Sequence, residues 1–504
     1  MGITPTDEQT AALAQFAFGD HLAIEAGAGT GKTSTLRLLA GSTTRRGQYL
    51  AFNKAIVTDA AGSFPENVAC NTAHSLAYRA IGRRYRDRLN APRQRNDDIA
   101  RILGIRAFEI STPAGKKRLG PGYLAGLVMR ATTVFCSTAD QEPEARHFPY
   151  VEGIDLPLPG GERGWTNNLA LRNTLMPALL AAWADLQRDD AGFLLADTKR
   201  VGPQRLGLLR FGHEVYLKLW QLNGPRIPAD FIAFDEAQDA NPVMLDIVRQ
   251  QVHAQLVFVG DSCQAIYGFT GAKNALREVP AENRTYLTQS FRFGPAIAEV
   301  ANAILARLGA DLRLRGLDSI PSTTGPLDAP DAILTRTNAA AVEAVLDALG
   351  RGKRPALVGG ADDVIKFAEA AADLQDTGST WHPELACFGS WGEVVAYVAD
   401  DANGGDLALL VRLVEDFGPQ RIVAALRRTC REDQADVVIS TAHKAKGREW
   451  DRVQLADDFP NFDDGPDPEE FRLLYVAVTR ARVQLDYVRV PSLRKLLRPA
   501  AATR

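Results

Sequence analysis

The segment Ala26-Gly-Ala-Gly-Thr-Gly-Lys-Thr33 has the composition of a loop that wraps phosphate. Small residues let successive backbone N–H groups converge on an anion, and a helix starting at the end of the loop adds its positive pole. Lys32 is placed to reach the β- and γ-phosphates of a nucleoside triphosphate, and Thr33 to hold Mg²⁺. Ala26 stands where the strict pattern has its first glycine. The reading of Gly27, Ala28, Gly29, Thr30 and Gly31 as phosphate ligands therefore rests on their place between a strand and a helix. A second segment, Phe231-Ile-Ala-Phe-Asp-Glu-Ala-Gln-Asp239, ends an apolar run in adjacent carboxylates that can divide the work of hydrolysis. Asp235 suits the Mg²⁺ shell, and Glu236 suits orienting and deprotonating the attacking water.

These groups meet only if strands deliver them to one sheet edge. Apolar runs followed by a turn and a helical stretch recur along the chain, which is the rhythm of parallel α/β sheets. Candidate strands are His21–Glu25, Gln48–Phe52, Phe231–Phe234, Gln255–Val259, Arg284–Thr288, Ala332–Leu334, Ala435–Ser440 and Asp451–Leu455. They form two sets, within residues 21–260 and 284–490. A stretch rich in Arg, Pro and Gly breaks the first set. The second is broken by helical patterns at Trp391–Asp400, Leu407–Asp416 and Arg421–Arg428. The expected organisation is a first α/β domain at 1–79 and 205–280 with an insertion at 80–204. A second domain is expected at 281–375 and 431–504, with an insertion at 376–430.

The chain of 504 residues carries 58 Lys+Arg against 61 Asp+Glu, a net charge of −3, which leaves no global basic field. Any nucleic-acid site must then be a local groove. Hydrophobic residues at 46% and charged residues at 24% exclude a disordered chain. Cys70, Cys136, Cys263, Cys387 and Cys430 lie far apart with no C-x-x-C pair, which argues against a disulfide frame or a zinc site and fits a reducing compartment. No apolar run reaches the roughly 18 residues of a membrane span, and the N-terminus lacks the plan of a signal peptide. The expected location is the cytoplasm or the nucleoid, without membrane contact.

Leu256-Val-Phe-Val-Gly-Asp-Ser-Cys-Gln-Ala-Ile-Tyr-Gly-Phe-Thr-Gly-Ala272 narrows the reading. It resembles motif III of the UvrD/Rep-like superfamily 1 DNA helicases, and further motifs of that family stand in order along the chain. Thr6-Asp-Glu-Gln9 resembles the Q motif, Ala51-Phe-Asn-Lys54 motif Ia and Asn71-Thr-Ala-His-Ser-Leu76 motif Ib. Leu287-Thr-Gln-Ser-Phe-Arg292 resembles motif IV, and Ile333-Leu-Thr-Arg-Thr-Asn338 the stretch beyond it. Ile439-Ser-Thr-Ala-His-Lys-Ala-Lys-Gly-Arg-Glu-Trp450 resembles motif V, and Glu469-Glu-Phe-Arg-Leu-Leu-Tyr-Val-Ala-Val-Thr-Arg-Ala481 motif VI. Phe211–Trp220 reads as an amphipathic helix, and its His-x-x-Tyr-Leu-Lys-Leu pattern resembles the F-box DNA helicase branch.

The resemblance implies an α/β P-loop NTPase of two RecA-like parallel-sheet domains with mainly helical insertions, holding ATP and Mg²⁺ in the cleft between them. It implies that Gln9 reads the adenine edge, that Phe291 stacks on adenine where a Tyr is usual, and that Ser34 replaces an adenine-stacking Arg. Gln264, Arg292 and Arg480 would act at the γ-phosphate, with Glu449 near the nucleotide. Planar guanidinium forks suit a phosphoryl group whose charge spreads over its oxygens. Phe52, Asn53, Thr72, His74, Tyr267, Phe269, Thr441 and His443 match positions that line single-stranded DNA. Bases stacked on such rings gain about 1 to 3 kcal/mol each. Basic clusters in the first insertion (Arg83, Arg84, Arg86, Arg88, Arg93, Arg95 and Lys116-Lys117-Arg118) are candidate duplex contacts.

The implied activity is that of an ATP-dependent single-stranded DNA translocase and 3′-to-5′ helicase in repair, recombination or replication. The polarity follows from the Gln-x-Ile-Tyr-x-Phe form of motif III. Expected partners are single-stranded DNA and its junctions with duplex. The alternatives are a motor that evicts recombinase filaments, or a DNA-gated ATPase serving as the motor subunit of a larger repair or defence complex, with a nuclease or recombinase as the expected kind of protein partner. Ser262 replaces the usual Pro after Gly-Asp, Arg448 replaces a usual Leu, and the second insertion is much reduced.

Overall fold

Runs such as Leu22-Ala-Ile-Glu-Ala26 and Gln255-Leu-Val-Phe-Val-Gly260 are almost wholly apolar, the pattern of parallel strands covered on both faces. The computed structural model describes residues 4–497 apart from 52–56, 59, 61, 113–114, 152–153, 156–167, 189–207, 269–272, 280, 387, 400–404 and 462–466. Its strands are β1 (Leu22–Ala26), β2 (Gly47–Ala51), β3 (Val68–Thr72), the hairpin β4 (Phe108–Thr112) and β5 (Gly115–Leu119), β6 (Phe231–Phe234) and β7 (Gln255–Gly260). There follow β8 (Arg284–Leu287), β9 (Thr323–Thr324), β10 (Ala332–Thr335), β11 (Pro355–Leu357), β12 (Val437–Thr441), β13 (Trp450–Leu455) and β14 (Ala481–Asp486).

Two parallel sheets result, in the orders β3-β2-β6-β7-β1-β8 and β11-β12-β10-β13-β14-β9. This is the α/β architecture of two RecA-like domains. One assignment changes: β8, grouped by sequence with the second set, pairs in parallel with β1, Ala26 opposite Leu287. Sequence order cannot tell which edge a strand will cover, and β1 would otherwise be a buried strand with an open edge.

Helices cover both faces of each sheet. Ala12 and Phe16 of the helix Asp7–Phe18 pack with Leu36 and Leu39 of Lys32–Gly41 on one face of the first sheet. The other face carries the first insertion, where Pro121–Ser137 and Leu169–Leu186 bury Leu124, Val128, Phe135, Leu175 and Leu179. Among the described residues, the regular elements of that insertion are helices apart from the antiparallel hairpin β4–β5. The helix His213–Leu222 follows the expected amphipathic segment and seats against it. Its Lys218 is fully buried, Nζ donating to the Thr138 carbonyl and Gln221 Oε1 at 2.9 Å each and to the Asp140 carbonyl. Arg88 is a second correction. It is wholly buried, bonded to Asp185 at 2.7 Å and to the Leu209 carbonyl, so it braces the insertion instead of facing duplex.

The second insertion contributes the helices Trp391–Ala399, Gly405–Phe417 and Pro419–Leu426, close to the segments read from sequence. They join one core with Asn338–Gly350 and Asp362–Thr377 beside the second sheet. Ala28, Cys263 and Ile266, which follow strands of the first sheet, belong to a core made otherwise of the second domain. The two domains therefore share packing at the strand ends that carry the motifs. No described helix is long and apolar enough to cross a membrane.

Candidate nucleotide site and nucleic-acid surfaces

The C-terminal ends of β1, β6 and β7 lie side by side and deliver the phosphate loop, the Asp235-Glu236 pair and Asp261 to one edge, where parallel sheets bind ligands. The loop runs from Ala26 to the helix starting at Lys32, and Gly31 caps that helix at φ 79°. Gly29 has φ 73°, and a Cβ there would lie 2.6 Å from Arg292 Cβ, so only glycine lets the two segments meet. Thr30 Oγ1 donates to the Gly27 carbonyl at 2.9 Å, and the Phe291 N–H to the Gly29 carbonyl at 2.8 Å. Gln9 is oriented by a capping box with Thr6, leaving Nε2 to donate to Thr35 Oγ1 at 3.1 Å. Gln9 Nε2 and the Phe291 ring both come within 4 Å of the Gly31 Cβ position, and Phe291 is 47% exposed. Together they form a shelf with a flat face and an amide, the chemistry an adenine needs. Ser34 follows in the first turn of the helix.

Lys32 Nζ meets Glu236 Oε1 at 2.5 Å. Burial works against both charges. The Glu236 and Asp235 carboxylates outweigh it and raise the Lys32 pKa, while Lys32 and Lys446 outweigh it and hold Glu236 down at about 2. Glu236 is therefore ionised at neutral pH. It has φ 53°, the one positive φ outside glycine among the described residues, which is backbone strain held at the centre of the candidate site. Gln238 Nε2 fixes its other oxygen at 2.6 Å. Asp235 is buried, accepting from the Tyr49 hydroxyl at 2.8 Å, and burial together with Glu236 raises its pKa. A buried carboxyl whose charge is opposed by its surroundings fits a hard divalent cation that takes its other ligands from phosphate and water. Thr33 and Asp235 would hold Mg²⁺, and the ion would neutralise phosphate charge there.

The second domain closes the site. Arg480 is 2% exposed, and its Nη2 donates to Gln264 Oε1 across the domain junction at 3.2 Å. Burial and then Arg292 lower its pKa to about 9. Gln264 Nε2 in turn donates to Asp261 at 2.6 Å. Arg292 Nε pairs with Glu449 at 2.6 Å, and its Nη1 donates to the Thr479 carbonyl at 3.1 Å. Ala28, Gly29, Lys32, Glu236, Gln264, Arg292 and Arg480 all line one cavity of about 240 Å³. Sequence reasoning missed three residues of its lining, Asp239, Lys446 and Gly447. Lys446 bonds to Asp239 and to the Gln264 carbonyl at 2.7 Å, joining the domains a second time. Lys446 lies inside the motif V segment quoted above, so its signal was available; Asp239 closes the carboxylate segment.

The candidate DNA residues divide between two further cavities. Thr72 and His74 open into one of about 540 Å³ that Tyr78, Arg86, His213 and Tyr216 also line. Burial and then His213 lower the His74 pKa. Thr441 and His443 open into another of about 400 Å³ on the second domain, with Arg336, Lys444 and Leu409. His213 and Tyr216 were legible only as part of the amphipathic helix. Tyr267 lies at the nucleotide cavity, its hydroxyl donating to the His443 carbonyl at 3.4 Å, which links that cavity to the second groove. Phe52, Asn53 and Phe269 lie outside the described residues.

A phosphate loop on one parallel sheet, faced by Arg480 immediately before a strand of the second and by Arg292 from the segment that follows β8, defines a two-domain P-loop NTPase. Residues 9–270 match an AAA domain and residues 436–485 a UvrD-like helicase C-terminal domain. The chain is 30% identical to the F-box DNA helicase protein 1 of Schizosaccharomyces pombe, over 93% of its own length and 55% of that protein's. It is 30% identical to the F-box DNA helicase 1 of Gallus gallus (92% and 47%) and 26% identical to the DNA helicase IV of Escherichia coli (92% and 65%). It belongs to the UvrD-like superfamily 1 helicases. The chain spans about half the length of the F-box relatives it matches.

Proposed function

We propose that this chain is an ATP- and Mg²⁺-dependent motor that moves along single-stranded DNA 3′ to 5′ and opens duplex at junctions. The observation that carries the proposal is the shared cavity, with Lys32 and Glu236 from one domain and Arg292 and Arg480 from the other. Cations arriving from the opposite domain make closure depend on the γ-phosphate, and hydrolysis then releases it. Glu236, ionised and anchored by Gln238, orients and deprotonates water. Lys32 exchanges its carboxylate partner for phosphate, and Arg292 and Arg480 meet the charge that builds on the transferring group. The two histidine-bearing cavities, one per domain, give a strand separate holds whose spacing changes as the cleft works. Backbone contacts of that kind accept any sequence. The division into 1–79 with 205–280 and 281–375 with 431–504 is proposed as the two motor halves, with the exception of β8 noted above.

The test is ATPase rate with and without oligo-dT, followed by unwinding of duplexes tailed at either end. DNA-stimulated hydrolysis and unwinding from a 3′ tail are expected. Lys32→Ala and Glu236→Gln abolish hydrolysis, the second while retaining ATP binding. DNA-independent ATPase, or full activity in either variant, defeats the proposal.

A further inference from the structure

Glu25 is the last but one residue of β1, immediately before the phosphate loop, yet neither phosphate nor metal chemistry requires a carboxylate there. Its neighbours give it a different task. Oε1 accepts the Ser262 backbone N–H at 2.6 Å, and Oε2 accepts the Ser262 hydroxyl at 2.7 Å. The same hydroxyl oxygen accepts from Asn274 Nδ2 at 2.7 Å, and Asn274 Oδ1 caps the following turn at the Leu276 N–H. Ser262 is the first residue of the short 3-10 turn Ser262–Gln264, a position whose N–H has no partner within the turn. Glu25 supplies that partner from a strand 237 residues away in sequence. The turn ends in Gln264, whose side chain meets Arg480 and whose carbonyl meets Lys446.

We infer that Glu25 is a positioning residue. Through Ser262 it holds the Gln264 turn and Asn274, and so sets the groups that receive the second domain's cations. The inference rests on the function proposed above and adds to it a specific dependence. It also explains how Ser can stand at position 262, where the resemblance to motif III leads one to expect Pro. Proline at the start of a turn has no N–H to satisfy. Asp261, at φ −123° and ψ 102°, already has the extended backbone that precedes a proline. The two solutions exclude each other. A proline Cδ at position 262 would occupy the space of the N–H, with Glu25 Oε1 only 2.6 Å from that nitrogen.

The experiment is a double-mutant cycle on the full chain, with steady-state ATPase on oligo-dT and thermal melting for each variant. Glu25→Ala is expected to lower kcat about tenfold, the effect of losing the two hydrogen bonds that anchor Ser262, with KM for ATP within twofold. Ser262→Pro alone is expected to lose at least as much. The pair Glu25→Ala/Ser262→Pro is expected to recover to within about threefold of the parent. A parent-like kcat in Glu25→Ala overturns the inference, as does a double variant no better than either single at a temperature where all remain folded. A rise in KM that accounts for the whole loss overturns it too, since the residue would then serve nucleotide binding. A parent chain without DNA-stimulated ATPase defeats the proposed function and this inference together. Parent activity with no reciprocal rescue defeats the inference alone.

Discussion

Arg480→Ala separates the catalytic from the structural part of the domain junction. The guanidinium donates to the Val476 carbonyl at 2.9 Å and to the Arg448 carbonyl, Gln264 Oε1 and Thr479 Oγ1 at 3.2 Å each. Losing these bonds at about 1 kcal/mol net apiece destabilises the fold, and relief of the buried charge offsets part of the loss. The net is about 2 to 4 kcal/mol, which lowers Tm by roughly 5 to 15 °C for domains of this size. The catalytic effect is larger. A cation placed on a transferring phosphoryl group is worth about 10³- to 10⁵-fold in kcat. The assay is ATP hydrolysis on saturating oligo-dT, well below both melting midpoints, with binding of a fluorescent nucleotide as control. The expected result is a kcat down by about 10³-fold or more, with nucleotide affinity within a few-fold because Lys32 and the loop are untouched. A kcat within tenfold of the parent refutes the two-sided site, and an unchanged Tm refutes the accounting of the buried guanidinium.

Phe291→Ala removes an exposed ring beside the phosphate-loop cap, so Tm should hold while KM for ATP rises about tenfold; an unchanged KM removes the ring from the adenine shelf. His74→Ala and His443→Ala should each weaken oligo-dT binding by about 1 to 3 kcal/mol in fluorescence titrations, with DNA-free nucleotide binding intact. Parent-like affinity in both would show that the strand passes elsewhere. Burial lowers the Lys218 pKa from 10.5 to about 8. The unfolded chain then binds more protons between those values, and stability must rise with pH across that window. Urea midpoints of the parent relative to Lys218→Met should therefore climb between pH 8 and 10.5, and a constant difference would contradict the burial of a charged ammonium.

Much of the site can be read locally. Phe231–Phe234 is a strand with the limits its apolar run announces, and the Gly-rich loop after β1 turns into a helix at Lys32 as its composition demands. Capping residues, glycines and apolar periodicity act over a few residues, so they are written where they act. The shorter or more polar strands escaped this reading: β3 is Val-Ala-Cys-Asn-Thr and β14 is Ala-Arg-Val-Gln-Leu-Asp, neither an apolar run. Family resemblance brought Gln9, Gln264, Arg292 and Arg480 to attention, and it could not say which atoms they face.

What the linear chain determined is the set of parts: a phosphate loop, paired carboxylates, cations on separate segments, and enough parallel strands to carry them. Tertiary structure alone decided that β8 closes the first sheet and that Arg88 is a buried brace. It alone joined Lys446 to Asp239 and Glu25 to Ser262. Each such contact depends on which strands lie side by side and which carbonyl or N–H is left over once the sheets have formed. That choice is made by packing across the whole molecule, and no short window of residues contains it.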